Sequence, residues 1–200
     1  PVLLVNPESP DQLSDMISLI ATATNTQDKA DQLLDFINQE KEMLTTSLAT
    51  ADDTPNIYLA GNSSLLSTAG PAMYQSGIIE LAGGKNVASD ISDTYWAEIS
   101  YEQLLSWNPD YIILASDAEY TVDDVLSDPN LKDCTAVKNN HVYAIPGDIE
   151  ALDSPVPASI LASIWLAGIL HPDQVSTDTY TKEMNSFYET FYGFTPESAN

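Results

Sequence analysis

The chain has 200 residues, 44% of them apolar, and sets 30 acidic side chains against six lysines and no arginine, for a formal charge of -24. That charge repels phosphate polyanions and anionic bilayers and excludes nucleic-acid binding. Without arginine, no bidentate guanidinium grip on a carboxylate or oxyanion is available from this chain.

The apolar content is enough to bury a sizeable core. The single cysteine, Cys134, excludes an internal disulfide, and no Cys/His cluster is present to hold structural zinc. The longest strongly apolar stretch, Ile160 to Leu170, is about half the ~20 residues of a bilayer span. The chain opens with Pro1 and has no basic region followed by an apolar core, so it reads as trimmed at its N-terminus.

In chain order, Pro1 to Val5 is a short apolar run ending in Asn6-Pro7, which predicts a buried strand and a turn. Asp11 to Ala23 reads as a helix. Thr24 to Ala49 follows without Gly or Pro, with Ala30, Leu33, Leu34, Ile37, Leu44 and Leu48 at three- and four-residue intervals. It is the longest predicted helix, about 39 Å at 1.5 Å per residue. From Asn56 onward short apolar runs alternate with helices. The predicted strands are Asn56 to Ala60, Tyr111 to Ala115 and His141 to Ile145, with Asn86 to Ala88 as a short fourth. The predicted helices are Pro71 to Ala82, Ser100 to Trp107, Thr121 to Ser127, Pro155 to Leu170 and Thr179 to Phe191, with Pro71 and Pro155 at the first helical position. Such alternation implies an α/β fold with a mainly parallel sheet and helices on both faces, which binds ligands at the carboxyl ends of its strands.

The most constrained stretch is Thr94 to Leu114. Ser100 and Gln103 have capping-box spacing, Ile99 and Leu104 that of a hydrophobic staple, and Asn108-Pro109 stops the helix ahead of the buried strand. The loop before Ser100 is therefore held, and it carries Tyr95 and Trp96. Trp96 reads either as a core aromatic or as a ligand contact. Glu102, in the first helical turn, is explained by the helix dipole alone or by a partner.

Other motifs carry less. Gly83-Gly84-Lys85-Asn86 follows a helix and lacks the Ser/Thr of a phosphate loop, so Gly83 reads as a helix stop. Asn62-Ser63-Ser64 has no nucleophile-elbow pattern, and His141 and His171 are too isolated for a hydrolytic triad or a metal site. Asp148, Glu150 and Asp153 form either a solvated acidic loop or a set of oxygen ligands for a hard cation.

The order of several segments is similar to a known family. These are Ile78-Ile79-Glu80-Leu81-Ala82-Gly83-Gly84-Lys85-Asn86-Val87, Trp96 with Ile99-Ser100-Tyr101-Glu102-Gln103-Leu104-Leu105, Asn108-Pro109-Asp110-Tyr111-Ile112-Ile113, and Asp153-Ser154-Pro155 leading to Ile164-Trp165-Leu166-Ala167 and Leu170-His171-Pro172-Asp173. Over Pro1 to Asp173 the chain resembles the second half of the ABC-importer substrate-binding proteins for iron-siderophores, cobalamin and haem. In that family one long helix joins two α/β lobes.

The resemblance implies that residues 1–23 are the last strand and helix of a first lobe, 24–49 the interlobe helix, and 50–200 a second, ligand-binding lobe. Most of the first lobe would then be absent. It further implies ligand contacts at Trp96, Tyr95, Ser67, Thr68, Glu119, Glu150 and Asp153, and docking of Glu102 onto a membrane permease. The protein would be a monomer without enzymatic activity or cofactor, located in the periplasm or lipid-anchored outside the cell membrane. Its ligand would be a metal chelate. The missing arginine favours neutral or cationic chelates such as corrinoids over anionic ferric siderophores. The competing reading is a metal-binding enzyme or metallochaperone of chelatase- or nitrogenase-like fold, using the Asp148 to Asp153 loop.

Overall fold

The computed structural model describes residues 2–91 and 95–196, so Pro1 and Thr94, which open two of the predicted stretches, lie outside the described residues. The chain forms an α/β unit. Two helices come first, α1 (Pro10–Thr24) and α2 (Gln27–Leu48). Asn25, in the left-handed conformation at φ 57°, separates them and returns its N–H to the Ala21 carbonyl. The 22 residues of α2 give it a length of about 33 Å.

The sheet contains β1 (Asn56–Ala60), β2 (Ser67–Ala69), β3 (Lys85–Asn86), β4 (Trp96–Glu98), β5 (Tyr111–Leu114) and β6 (Val142–Ala144). Its order is β4-β2-β1-β5-β6, with β3 also paired to β1. β1, β3, β5 and β6 run parallel, as expected. β2 and β4 are antiparallel additions that make the sheet mixed.

Alternation along β1 and β5 sorts the core into two sides. Ile57, Leu59 and Ile113 face a cluster with α1, α2, α3 (Tyr74–Leu81), α7 (Ile160–Leu170) and α8 (Thr177–Tyr192). Tyr58, Ala60, Ile112 and Leu114 face the other way, towards α4 (Tyr101–Trp107), α5 (Val122–Leu126) and α6 (Thr135–Lys138). α7 is apolar on nearly every side because it is enclosed by α2, α3 and α8. Nine of its eleven residues are buried, which is the condition for a helix without a polar face. α1 packs on α2 and on the start of α3, where Pro10 meets Gly77. Among the described residues no helix is long and apolar enough to cross a membrane.

Several boundaries differ from expectation for identifiable reasons. No strand forms at Val2 to Val5, where Val2 is 88% and Leu4 87% exposed. No described strand lies alongside to take its backbone hydrogen bonds, and an unpaired strand is not stable. The helix predicted from Pro71 starts at Tyr74, because the Gly70 carbonyl accepts both the Met73 N–H and the Ser76 hydroxyl in a turn. The helix predicted from Pro155 starts at Ile160 after a 3-10 turn at Pro157–Ser159. Pro157 drives Val156 into extended geometry, φ -111° and ψ 156°, so the helix cannot begin earlier.

Candidate functional site

The carboxyl ends of β1 and β5 open onto a depression of about 400 Å³, lined by Asn62, Ser63, Ser67, Gln75, Trp96, Asp117, Asp153 and Ser154. Chain reversal after each strand puts them there. Gly61 and Asn62 follow β1, Ser116 and Asp117 follow β5, and Asp153-Ser154 precedes the 3-10 turn into α7.

Trp96 lies on strand β4 and not on a loop. Two three-residue strands, β2 and β4, are too short for an alternating pattern to reveal them. β4 pairs with β2 through Ala69↔Trp96, Thr68↔Ala97 and Ser67↔Glu98. The ring is 38% exposed and rests against Gly61, where a Cβ would come within 2.8 Å of Cζ3. Only glycine at position 61 allows the indole to lie this close to the backbone. Tyr95, 54% exposed, accepts the Gly70 N–H through its carbonyl, and its side chain is not among those lining the depression.

The other predicted contacts divide. Ser67 and Asp153 line the depression. Thr68 does not, because one step along β2 turns it to the other face. It is fully buried and donates its hydroxyl to the Leu59 carbonyl at 2.7 Å. Glu119 is exposed and tied by its N–H to the Asn62 carbonyl. Glu150 accepts a 2.7 Å hydrogen bond from the Tyr188 hydroxyl and belongs to a separate cavity of about 320 Å³ between the loop after β6 and α8. Glu150 and Asp153 therefore serve different sites, and among the described residues no group of three or more His, Cys, Asp or Glu side chains could hold a metal.

The depression is rich in acceptors. Asp153 is 3% exposed and takes the Ser116 hydroxyl and amide on its two oxygens. Asp117 takes the Asn62 side-chain amide. One N–H of the Asn62 amide and both donors of Ser116 are thus taken by the carboxylates, and no lysine is among the lining residues. Ser116, Asp117 and Gln75 carry no motif in the sequence, and Asn62 stands only in a stretch without a nucleophile-elbow pattern. Asn62 and Asp117 sit just past the ends of predicted strands, so applying the carboxyl-end rule strand by strand would find them. Gln75, in the first turn of α3, carries no such signal.

Glu102 is exposed in the first turn of α4, where Ser100 caps the helix by accepting the Gln103 N–H at 3.2 Å. Its own backbone N–H and the Ser100 hydroxyl hold its carboxyl below the usual carboxylate range. It stays ionised at neutral pH. Ile99 packs in the cluster containing Leu104, and Asn108 ends the helix in the left-handed region while binding Thr135 at the start of α6. Gly83 stops α3 at φ 81°. Buried His171 closes that end through a 3.2 Å contact of Nε2 with the Gly83 carbonyl.

The comparisons agree with this architecture. The molybdate-binding protein MolA of Haemophilus influenzae is 28% identical over 194 residues, 94% of this chain and 54% of its own length. Its molybdate-bound structure superposes with a TM-score of 0.81 over 94% of this chain and 57% of that one, at 27% identity. At the level of fold alone, the chain is similar to a periplasmic solute binding protein from Veillonella parvula (TM-score 0.83, 23% identity, 96% and 59% covered). It is likewise similar to Helicobacter pylori CeuE in complex with nickel and histidine (TM-score 0.83, 20% identity, 94% and 59% covered). The chain spans little more than half the length of these relatives. The family model described as periplasmic binding protein matches residues 1–149, three quarters of the chain, and the chain accordingly belongs to the periplasmic binding proteins.

Proposed function

We propose that the chain is the second, ligand-binding half of the substrate-binding component of an ABC importer, which captures a neutral or cationic metal chelate outside the cell membrane and delivers it to a permease. The single observation that carries this reading is the depression at the strand ends. One aromatic face, Trp96, stands beside an acceptor-rich floor with no cation among its lining residues. Such a surface suits the flat or donor-bearing edge of a chelate. Trp96, Ser67 and Asp153 make the contacts, and the opposing wall comes from the part of the protein that the relatives have beyond this chain. α2 then forms the connection between the two halves, with α1 as the last helix of the first half. The protein is a monomeric carrier without catalysis, periplasmic or held at the membrane by a lipid.

Corrinoids and chelates of the nickel-histidine type rank above haem and above anionic ferric siderophores, because two carboxylates repel an anion across a floor that offers no compensating charge. The molybdate bound by the Haemophilus relative is an oxyanion, and Asp117 and Asp153 disfavour it here for the same reason. The metallochaperone reading gains nothing from the 148–153 loop, whose Glu150 and Asp153 are committed to Tyr188 and to Ser116.

Titration calorimetry of the full-length protein with cyanocobalamin, the nickel(II)-histidine complex and molybdate tests the assignment. Sub-micromolar binding of one of the chelates, with molybdate at least tenfold weaker, is the expected outcome. Tight molybdate binding with no chelate binding would replace the chelate by an oxyanion.

A further inference from the structure

Within the depression, one buried amide is left unsatisfied. Gln75 is 8% exposed, and its Oε1 is shut off from solvent with no hydrogen-bond partner. An unmet buried amide oxygen costs about 1–3 kcal/mol, and native structures leave few of them without a cause. The surroundings do not explain it. The neighbouring polar groups are fully employed in holding the start of α3. Asn86, 3% exposed, donates to the Ala69 carbonyl and to the Ser76 hydroxyl at 2.9 and 2.8 Å, and Ser76 in turn donates to the Gly70 carbonyl. Tyr74 is hydrogen-bonded to Ser159 at 2.6 Å. This network pins the residues on either side of Gln75 while leaving its own amide unused. Gln75 lines the same depression as Trp96, Asp117 and Asp153, and half a turn of its terminal amide exchanges the oxygen and nitrogen that face it.

We propose that Gln75 is a specificity-determining ligand contact, whose amide oxygen accepts a hydrogen bond from an N–H or O–H on the edge of the bound chelate. The inference rests on reading the depression as half of the ligand cleft, and it names the chemistry of the ligand's edge. Asp117 and Asp153 already bring acceptors, and each takes only one or two protein donors, from Asn62 and from Ser116. A ligand that supplies donors matches the acceptors left over. Amide, amine or imidazole N–H groups, or water held on a metal, meet that need. A molybdate ion, which offers acceptors alone, does not. With its oxygen turned to the depression, Gln75 adds a third acceptor to those of Asp117 and Asp153, and a ligand without donors leaves that oxygen unmet.

The test uses the full-length protein with Gln75→Met, close in shape and without the amide, and Gln75→Glu, which keeps acceptors in place. The probes are the nickel(II)-histidine complex and cyanocobalamin, both bearing N–H groups, and molybdate. Gln75→Met should keep or raise its thermal midpoint, because no intramolecular hydrogen bond is lost and an unmet buried oxygen is removed, and should bind the N–H-bearing probe about tenfold more weakly, the worth of one buried hydrogen bond. Gln75→Glu should retain that binding, and Gln75→Met should not lower whatever affinity exists for molybdate. Undiminished chelate binding by Gln75→Met, or loss in Gln75→Glu, overturns the role of Gln75 while leaving the cleft assignment intact. If Gln75→Met fails to fold, Gln75 has a structural role and the proposal is likewise overturned. Failure of the wild-type protein to bind either chelate overturns the cleft assignment itself, and the inference with it.

Discussion

Glu40 should be a destabilising residue at neutral pH, and the size of the effect can be worked out. It lies on α2 facing α8, is 8% exposed, and its carboxyl is pushed up from 4.5 to about 7, first by burial and then by Glu183, with Lys182 opposing. Lys182 is already engaged with Glu183 at 2.7 Å and neutralises Glu40 only in part. A carboxyl whose folded pKa is raised binds more protons in the native state between the two values, so stability falls as pH rises from about 4.5 to about 7. Below that window the group is protonated in both states and the penalty vanishes. Above it the full difference is about 3 kcal/mol at most, and residual water access to the carboxylate brings it to roughly 1–3 kcal/mol. Glu40→Gln should therefore stabilise the protein by that amount at pH 8 and by about a quarter of it at pH 5. Urea denaturation of both proteins at the two pH values measures it. Equal gains at pH 5 and pH 8, or a loss at pH 8, would refute the burial argument.

Gly83→Ala should cost about 2–4 kcal/mol, since φ 81° disfavours any side chain and the new Cβ would stand 2.7 Å from His171 Nε2; a shift in urea midpoint below that of 1 kcal/mol would show that the loop gives way. Trp96→Phe should abolish chelate-induced quenching of tryptophan fluorescence in the full-length protein while Trp107 and Trp165 remain, whereas unchanged quenching would remove Trp96 from the site. Glu102→Gln should leave chelate affinity and thermal midpoint nearly unchanged but lower uptake and permease-stimulated ATP hydrolysis, because an exposed charge at a transient interface steers association more than it holds the fold. Uptake at the wild-type level would leave Glu102 as a helix-dipole residue only.

What could be read from the sequence was what local physics determines. The Ser100 cap, the Asn108-Pro109 stop, Gly83 after α3 and the apolar runs of β1 and β5 each depend on a few neighbouring residues, and all are in place. The elements missed depend on distant partners. β2 and β4 are three residues each and exist because Ser67 to Ala69 lies between β1 and Trp96 to Glu98, a pairing that no window of sequence contains. The candidate site divides along the same line. Trp96 stands out by residue type, and Asp153 by its place before the Pro155 and Pro157 turn. Thr68, adjacent to Ser67 in sequence, is expected at the same site, because the side-chain alternation of a strand applies only once the strand is known. Gln75 is the hardest case. Its meaning lies in a hydrogen bond it does not make, and an unmet acceptor becomes visible only when every neighbour's partner has been counted. A binding surface of this kind is thus least legible in sequence where it is most specific. Complementarity to a ligand is stored in groups that the fold leaves unpaired, and sequence patterns report only the groups that folding pairs.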